Sequence, residues 1–408
     1  MTAPEAAPAG APPLQGVLVA DFSRVLAGPL CTMMLADLGA EVIKVEHPTR
    51  GDDTRSWGPP FTPRGSSYFD SVNRGKRSVR LDLNSPADRD RALALALRAD
   101  VVVENFRSGT MERFGLGFEQ LRSHKRGVIY VSISGFGSAP AGRLRPGYDL
   151  LAQAVGGLMS ITGPPGEPTK SGVAVVDVLT GKDAAIGVLA ALHARTRTGE
   201  GAHIEVNLLS SVQSALVNQV QGFLSAGTEP RALGNTHPSI SPYELLHCAD
   251  GEIVVACGTD AQFARLCGSL GAPELAGDPR YVGNENRVAH REDLRRELER
   301  LLASAGADEW EQIIADAGVP VGRVGTVSSG LALADELGLE PLIEVVDDEG
   351  ATTRQVRSPI TWKPAFPPQR HAPPTLGQHD DELREWLADA GDPRPSPPTT
   401  WSADARSS

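Results

Sequence analysis

Strand-like and helix-like hydrophobic patterns alternate along the first half of the chain. Residues 16–46 predict a strand, a loop, a helix and a second strand, because two β-rich apolar runs flank a helical stretch that ends near Gly39. Similar patterns predict a helix over 86–98 and strands within 100–106 and 127–136. This alternation is typical of an α/β domain with a mainly parallel sheet and right-handed crossover connections.

The pattern changes in the second half of the chain. Residues 203–227 predict a short strand and a long amphipathic helix, and residues 243–258 predict a β-hairpin about Asp250 and Gly251. Charged helices are predicted within 290–304 and 307–318, which indicates a smaller α+β domain. The predicted organisation is a disordered tail over 1–13, a large domain over 14–200, a linker helix over 201–233, a small α+β domain over 234–325, a return to the large domain over 326–390 and a disordered tail over 391–408.

Composition and charge narrow the class of protein. The 408 residues carry a formal net charge of −12, which argues against nucleic acid as a partner, because phosphate binding needs clustered Lys and Arg. The basic stretch NRGKRSVR (73–80) could meet a small anion, although a solvated turn is the favoured interpretation. No run predicts a signal peptide or a membrane span, so we expect a cytoplasmic protein. The cysteines lack CxxC spacing, which predicts neither a disulfide framework nor a zinc site.

The ligand site is expected at the carboxyl ends of the parallel strands. α/β sheets open crevices there, and the stretches DFSRVLAG, ENFRSG and ISGFG all fall at such ends. No GxGxxG follows the first strand, which argues against a dinucleotide-dependent oxidoreductase.

One carboxylate stands out at the same edge. In VAVVDVLTG (173–181), Asp177 follows an apolar run that predicts a strand, and a helix is predicted after it. An Asp between a strand and a helix is usually an N-cap. The alternative is a nucleophile, since an Asp ionised at neutral pH can attack an acyl carbon without a partner base.

A set of motifs then carries a resemblance to a known family. DFSRVLAGPLCTMMLADLGAEVIKVE, GDDTRSWGPPF, NRGKRS, DVVVENFRSGTMERFGLG, ISGFG, RPGYDLLAQAVGGLMSITG and GVAVVDVLTG occur in the order of the family III CoA-transferases, the CaiB/BaiF family. The chain resembles this family from about Gly16 to Gln378, and is most similar to its succinyl-CoA:glutarate branch. The resemblance implies a Rossmann-like large domain made from both ends of the chain, an inserted small domain and an interlinked homodimer.

The resemblance also implies the site. Asp177 takes the position of the family's nucleophile. In that family the reaction proceeds through an aspartyl anhydride and an aspartyl-CoA thioester. The implied contacts to CoA are Leu26, Ala27, His47, Leu81, Asn84, Asn105, Phe106, Arg107, Arg113, Tyr148 and Asp149. Asn235, His237 and Ser239 stand near the family's active-site loop and are candidates for the acceptor acid, with a plain loop as the alternative. Neither a metal nor a permanently bound cofactor is expected.

Two departures narrow the expected reaction. The formyl-CoA:oxalate enzymes have Gln where this chain has Leu26, together with a glycine run that is missing here, so oxalate is a doubtful acceptor. We expect transfer from succinyl-CoA to glutarate or a related dicarboxylate. An α-methylacyl-CoA racemase is an alternative, although its catalytic His is replaced by Tyr148, a poor proton acceptor at neutral pH. A non-catalytic acyl-CoA-binding protein is the other alternative.

Overall fold

The computed structural model describes residues 10–388. Its strands are β1 (Leu18–Asp21), β2 (Glu41–Glu46), β3 (Phe61–Thr62), β4 (Gly65–Ser66), β5 (Lys76–Arg80), β6 (Val101–Glu104), β7 (Ile129–Ser134), β8 (Ala202–Asn207), β9 (Tyr243–His247), β10 (Glu252–Ala256), β11 (Val321–Arg323), β12 (Leu342–Val346) and β13 (Thr352–Val356). Its helices are α1 (Ala27–Asp37), α2 (Ser67–Asp70), α3 (Pro86–Arg98), α4 (Thr110–Arg113), α5 (Phe118–His124), α6 (Asp149–Val155), α7 (Leu158–Ile161), α8 (Val175–Thr198), α9 (Leu208–Ala215), α10 (Val217–Ala226), α11 (Asp260–Ser269), α12 (Asn284–Ala289), α13 (Arg291–Leu302), α14 (Ala307–Asp316), α15 (Val327–Glu336) and α16 (Asp380–Ala388).

A six-stranded sheet organises the first of two units. Its strand order is β5-β2-β1-β6-β7-β8, and all five neighbouring pairs are parallel. The central strands β1 and β6 are buried along their whole length, which explains their continuous apolar sequence. The predicted α/β class with a parallel sheet is confirmed.

The chain reverses direction across the sheet between β1 and β6. From β1 it moves outward through β2 to β5, and it then returns to β6 and continues to β8 on the other side. Loops that leave adjacent strands in opposite directions open a crevice at such a switch point. The loops after β1 and β6 therefore frame the natural ligand position.

Local sequence explains the boundaries of the outer helix α3. Pro86 occupies its first turn, where a missing N–H costs nothing, and Asp88 and Arg98 lie at the helix ends that suit their charges. Ala92, Leu95 and Ala96 form its buried face at helical spacing. The predicted helix over 86–98 is confirmed.

The second unit comprises residues 158–171 and 219–339. Its antiparallel sheet has the order β11-β10-β9, and β9 pairs with β10 around Asp250 and Gly251 as the predicted hairpin. Helices α11, α13 and α14 bury Phe263, Leu298 and Trp310 in one core with the sheet residue Ile253. This is the smaller α+β unit expected from the sequence.

The division of the chain differs in detail from the predicted bounds. Residues 172–218 and 340–388 belong with the parallel sheet. Residues 202–207 form β8, the short strand predicted there, which pairs with β7 along its whole length, so the start of the predicted linker helix over 201–233 is a strand of the parallel sheet. Two helices, α9 and α10, follow it. The predicted tails lie outside the described residues except for 10–13, where Pro12 lies against Gly39.

The basic stretch 73–80 is neither a solvated turn nor an anion site. Residues from Lys76 onward form β5, and Arg74, Lys76 and Arg77 are buried. Their partners are acidic groups of the same unit: Asp37 for Arg74, Asp21 for Lys76, and Glu41 and Glu382 for Arg77. Burial of a charge requires a partner, so these cations stabilise the fold rather than bind a ligand.

The four cysteines are free thiols, three of them buried. Among the helices of residues 10–388, none is both apolar enough and long enough to cross a bilayer.

Candidate active site

Asp177 lies in the first turn of α8, which begins at Val175. The predicted strand before Asp177 is therefore wrong, and so is the N-cap interpretation of its carboxylate. Another residue caps this helix: one carboxylate oxygen of Asp149, at the start of α6, accepts hydrogen bonds from the backbone N–H of Val176 at 2.8 Å and of Asp177 at 3.2 Å. The Asp177 side chain therefore does not cap its own helix.

The cap itself is held from α6. The buried Gln153 donates from Nε2 to the other oxygen of Asp149 at 2.6 Å. Because both oxygens of Asp149 accept hydrogen bonds, its orientation is fixed, and with it the first turn of α8.

Burial, and then the negative charge of Asp149, raise the pKa of Asp177 from its ordinary value of 3.8 to about 7. A like charge nearby and partial removal from water both disfavour the ionised form. The carboxylate is therefore not fully ionised at neutral pH, unlike the expectation from the sequence. A carboxyl group in a cleft whose pKa is strongly shifted from its ordinary value is typical of a functional site.

This raised pKa predicts a pH-dependent effect on stability. Asp177→Asn is expected to raise the melting temperature by about 2 °C at pH 8 and to leave it unchanged at pH 4. The folded protein binds this proton more tightly than the unfolded chain does, so ionisation destabilises the fold increasingly as the pH rises from about 4 to 7. Calorimetry at both pH values checks this, with the exposed Asp183→Asn as the control on the same helix. An equal shift at both pH values would contradict it.

Asp177 opens onto a cavity of about 200 Å³ at the carboxyl ends of the strands. We call this cavity B. Six residues implied by the sequence resemblance line it: Leu26, Ala27, Asn105, Phe106, Arg107 and Tyr148. They come from the loops after β1 and β6 and from the residue before α6, which is why residues distant in sequence meet here.

A second cavity, cavity A, has a volume of about 220 Å³ and lies over the ends of β2 and β5. Its walls include His47, Leu81, Asn84 and Phe106. Arg24 and Phe106 line both cavities, and the Arg24 guanidinium lies 5.0 Å from the centre of the Phe106 ring. The two cavities therefore adjoin at this pair.

The remaining predicted residues lie elsewhere. Arg113 is exposed on α4 and lines neither cavity, and the Asp149 carboxylate contacts α8 instead of forming a wall. Asn235, His237 and Ser239 belong to the second unit, where Nδ1 of His237 accepts the backbone N–H of Ser239 at 3.1 Å. Their link to an acceptor stays a prediction.

Sequence reasoning missed Tyr68, which follows β4. Burial and the charges of Asp177, Asp149 and Asp52 raise the pKa of Tyr68 to about 12, so its hydroxyl stays protonated beside acidic groups. Its ring meets Trp57 edge-to-face, with the centroids 5.2 Å apart. Tyr68 lies in α2, a helix of four residues that is too short to show a periodic pattern. No signal in the sequence therefore distinguished this residue.

Arg143 and Arg145 were also missed. They line cavity B together with Arg24 and Arg107. Their loop closes on itself at Gly135 and Gly147, where a Cβ on Gly147 would lie 2.3 Å from the Gly135 Cα. Only glycine allows this approach, which returns the chain to the cavity.

The site can therefore do carboxylate chemistry next to cations. Among residues 10–388, no His, Cys, Asp and Glu side chains group as a metal site would require. Asp177 supplies a nucleophile or a base, and the arginines attract an anion. Tyr68 has a protonated hydroxyl that is electrostatically coupled to Asp177, but it lines neither cavity.

Comparison with known proteins agrees with this chemistry. The model of CoA-transferase family III matches residues 14–380. A succinate–glutarate CoA-transferase of Agrobacterium fabrum is 39% identical over 379 residues, covering 91% of this chain and 95% of that protein. An acetyl-CoA:oxalate CoA-transferase of Acetobacter aceti is 40% identical over 334 residues, covering 81% of this chain and 86% of that protein. The crystal structure of a CaiB/BaiF family protein from Brucella suis matches with a TM-score of 0.82 at 40% identity, covering 92% of this chain and 99% of that one. The chain is thus an enzyme of CoA-transferase family III, with CoA thioesters as substrates.

Proposed function

We propose that the enzyme transfers CoA from succinyl-CoA, or a similar donor, to glutarate or a related dicarboxylate, with Asp177 as the nucleophile. The observation that carries this proposal is the position of Asp177 at the start of α8, facing cavity B, while Asp149 satisfies the N–H groups of that turn. A carboxylate freed from structural hydrogen bonds is available for covalent catalysis.

The first half of the reaction charges the enzyme. A carboxylate oxygen of Asp177 attacks the thioester carbon, the C–S bond breaks, and CoA leaves as a thiolate, which produces an acyl-aspartyl anhydride. The thiolate then attacks the aspartyl carbonyl of the anhydride and releases the donor acid. The enzyme now carries CoA as an aspartyl thioester.

The second half reverses these steps with another acid. The acceptor carboxylate attacks the aspartyl thioester and displaces CoA thiolate, and the thiolate attacks the acceptor acyl carbon of the new anhydride. The products are the new CoA ester and the free Asp177 carboxylate. Each step forms an oxyanion, and a hydrogen-bond donor beside it stabilises the negative charge that develops there.

CoA spans both cavities in this proposal. Cavity A takes the nucleotide end, with His47, Leu81 and Asn84 as contacts, and the thioester reaches Asp177 through the junction at Arg24 and Phe106. Arg107 is placed to pair with a phosphate oxygen, because a guanidinium donates in a planar fork. Arg113 lies outside these walls, so this proposal gives it no contact with CoA.

The charge around cavity B supports a dicarboxylate acceptor. Four arginines line it with two carboxylates, Asp177 and Asp53, which pairs with Arg24 at 3.2 Å, so positive charge is in excess there although the protein as a whole carries a net charge of −12. One carboxylate of the acceptor must reach Asp177, and a second one is then free to meet Arg143 or Arg145. The acceptor itself rests on the relatives, whose names include both glutarate and oxalate.

Arg143→Gln/Arg145→Gln is expected to raise the KM for a dicarboxylate acceptor about tenfold. The KM for a monocarboxylate of the same length should stay within about twofold, since that acid lacks the second charge. Steady-state kinetics with glutarate and valerate measures the two KM values. Arg197→Gln, at the exposed far end of α8, is the matched control for loss of a cation. An equal loss for both acids would show that these arginines do not bind the distal carboxylate.

We include the homodimer in the proposal. Leu333 and Leu337, one turn apart on and next to α15, are 55% and 65% exposed, which favours a covering partner. Light scattering tests the assembly, and a monomer would remove this part of the proposal.

The experiment that tests the function is trapping of the intermediate. The protein is incubated with succinyl-CoA, quenched with hydroxylamine or borohydride, digested and mapped by mass spectrometry. Modification confined to Asp177, with new CoA esters of added dicarboxylic acids, is the expected result. An unmodified enzyme that exchanges the α-proton of a branched acyl-CoA would overturn the proposal in favour of a racemase. Binding of acyl-CoA without either reaction would favour a non-catalytic protein.

A further inference from the structure

Val25 has a left-handed backbone, with φ +71°. Left-handed conformations suit glycine, and a β-branched side chain there clashes with its own backbone. Such a conformation persists only when surrounding contacts impose it. The contacts that hold Val25 are therefore worth identifying, because this residue directly precedes Leu26 and Ala27 of cavity B.

The peptide groups of Ser23 and Arg24, directly before Val25, are held by side chains. Asp21 accepts the N–H of Ser23 at 2.9 Å, and Lys44 donates to the Ser23 carbonyl at 2.8 Å. Asn105 clamps Arg24 from both sides, accepting its N–H at 2.9 Å and donating to its carbonyl at 2.6 Å.

The N–H of Val25 itself points at Asp52. Both carboxylate oxygens of Asp52 lie 3.3 Å from it. Lys44 pairs with Asp52 at 2.9 Å, and both side chains are fully buried. Asp52 is therefore a fixed, ionised acceptor, whose pKa burial would raise but the charge of Lys44 and the hydrogen bonds of Thr54 lower.

The held segment faces the nucleophile. Leu26 and Ala27 line cavity B with Asp177, and they begin α1, so their N–H groups have no intrahelical partner. Helix α8 packs closely on this turn, because a Cβ on Gly181 would lie 2.6 Å from the Ala27 carbonyl oxygen. A change at Val25 therefore alters the wall that faces the substrate carbonyl.

We propose that Asp52, oriented by Lys44, is a positioning residue that forces Val25 into the left-handed conformation and so sets the Leu26–Ala27 wall against Asp177. This inference rests on the proposed function. Without the Asp52 acceptor, Val25 relaxes toward an ordinary negative φ, and the chain that follows it turns away from the substrate.

The test removes the buried pair as a unit. In Lys44→Met/Asp52→Leu no unpaired charge is left, because Asp21 keeps Lys76 and Glu46 keeps Arg55. We expect kcat to fall about 100-fold, since small misplacements at a reacting centre have effects of this size. Because Lys44 and Asp52 also line cavity A, the KM for succinyl-CoA is measured separately, and only the loss of kcat counts toward the proposal. Adding Val25→Gly to the pair variant should raise its kcat at least about tenfold. Glycine takes the left-handed conformation without the hydrogen bond to Asp52.

Rescue by glycine separates positioning from general damage. If the pair variant keeps its kcat, or if Val25→Gly restores nothing, the proposal is wrong. If the pair variant does not fold, Val25→Pro decides instead, because proline has no N–H and cannot take a positive φ. A wild-type kcat in Val25→Pro would overturn the proposal, and a loss of about 100-fold at an unchanged KM would support it. If the wild-type enzyme forms no Asp177 adduct, that result contradicts the proposed function and not the positioning of Val25 by Asp52.

Discussion

Asp177→Asn is expected to lower kcat for CoA exchange by at least about 10⁴-fold, while the affinity for acyl-CoA changes by less than about threefold. The amide keeps the shape of the side chain but cannot form the anhydride, and every later intermediate is built on the carbonyl carbon of that same carboxyl group. The first turn of α8 stays in place, because Asp149 bonds the backbone of this turn and not the Asp177 side chain.

Exchange of label between succinyl-CoA and a free acid measures this loss, and equilibrium dialysis measures binding. Asp183→Asn is the matched control, since Asp183 lies on the same helix, is exposed and accepts a hydrogen bond from Ser211. A variant at Asp177 that retains more than about 1% of the activity would show that the covalent route is not obligatory.

The fold followed largely from the sequence, because the β-α-β pattern of residues 16–46 and the helix at 86–98 are local and strongly periodic. β1, α1, β2 and α3 formed where expected. The short strand predicted at HIEVN formed as β8, but its assignment to a linker was wrong, because its partner, β7, lies about 70 residues earlier in the chain. Only tertiary pairing decides such a segment.

The site was less accessible to sequence reasoning. Asp177 was identified, but its environment depends on Asp149, 28 residues earlier. The apolar, β-branched run before Asp177 favoured a strand, whereas the Asp149 carboxylate supplies the helix cap and a helix begins instead. Likewise, no sequence pattern pairs Lys44 with Asp52, and only the fold of the chain after β2 brings Asp52 onto this strand as a buried partner.

Substitutions at Asp149 should separate its two effects on Asp177. Asp149→Ala removes the acceptor of the Val176 and Asp177 N–H groups, so the first turn of α8 loosens, and we expect kcat to fall between about 10²- and 10³-fold. Asp149→Asn keeps an acceptor oxygen for these N–H groups but removes the charge. Its activity at high pH should therefore stay within about fivefold of the wild type.

The pH profile of Asp149→Asn then reports the charge. Only ionised Asp177 attacks, so kcat/KM of the wild type should rise through a pKa of about 7 and level off above it. The Asp149 carboxylate contributes to raising that pKa, so removing its charge moves the rising limb to lower pH. At pH 5.5 the variant should keep a larger share of its maximal kcat/KM than the wild type keeps. A limb that stays in place while the plateau falls would mean that Asp149 acts on Asp177 through geometry alone, with burial as the whole cause of the raised pKa.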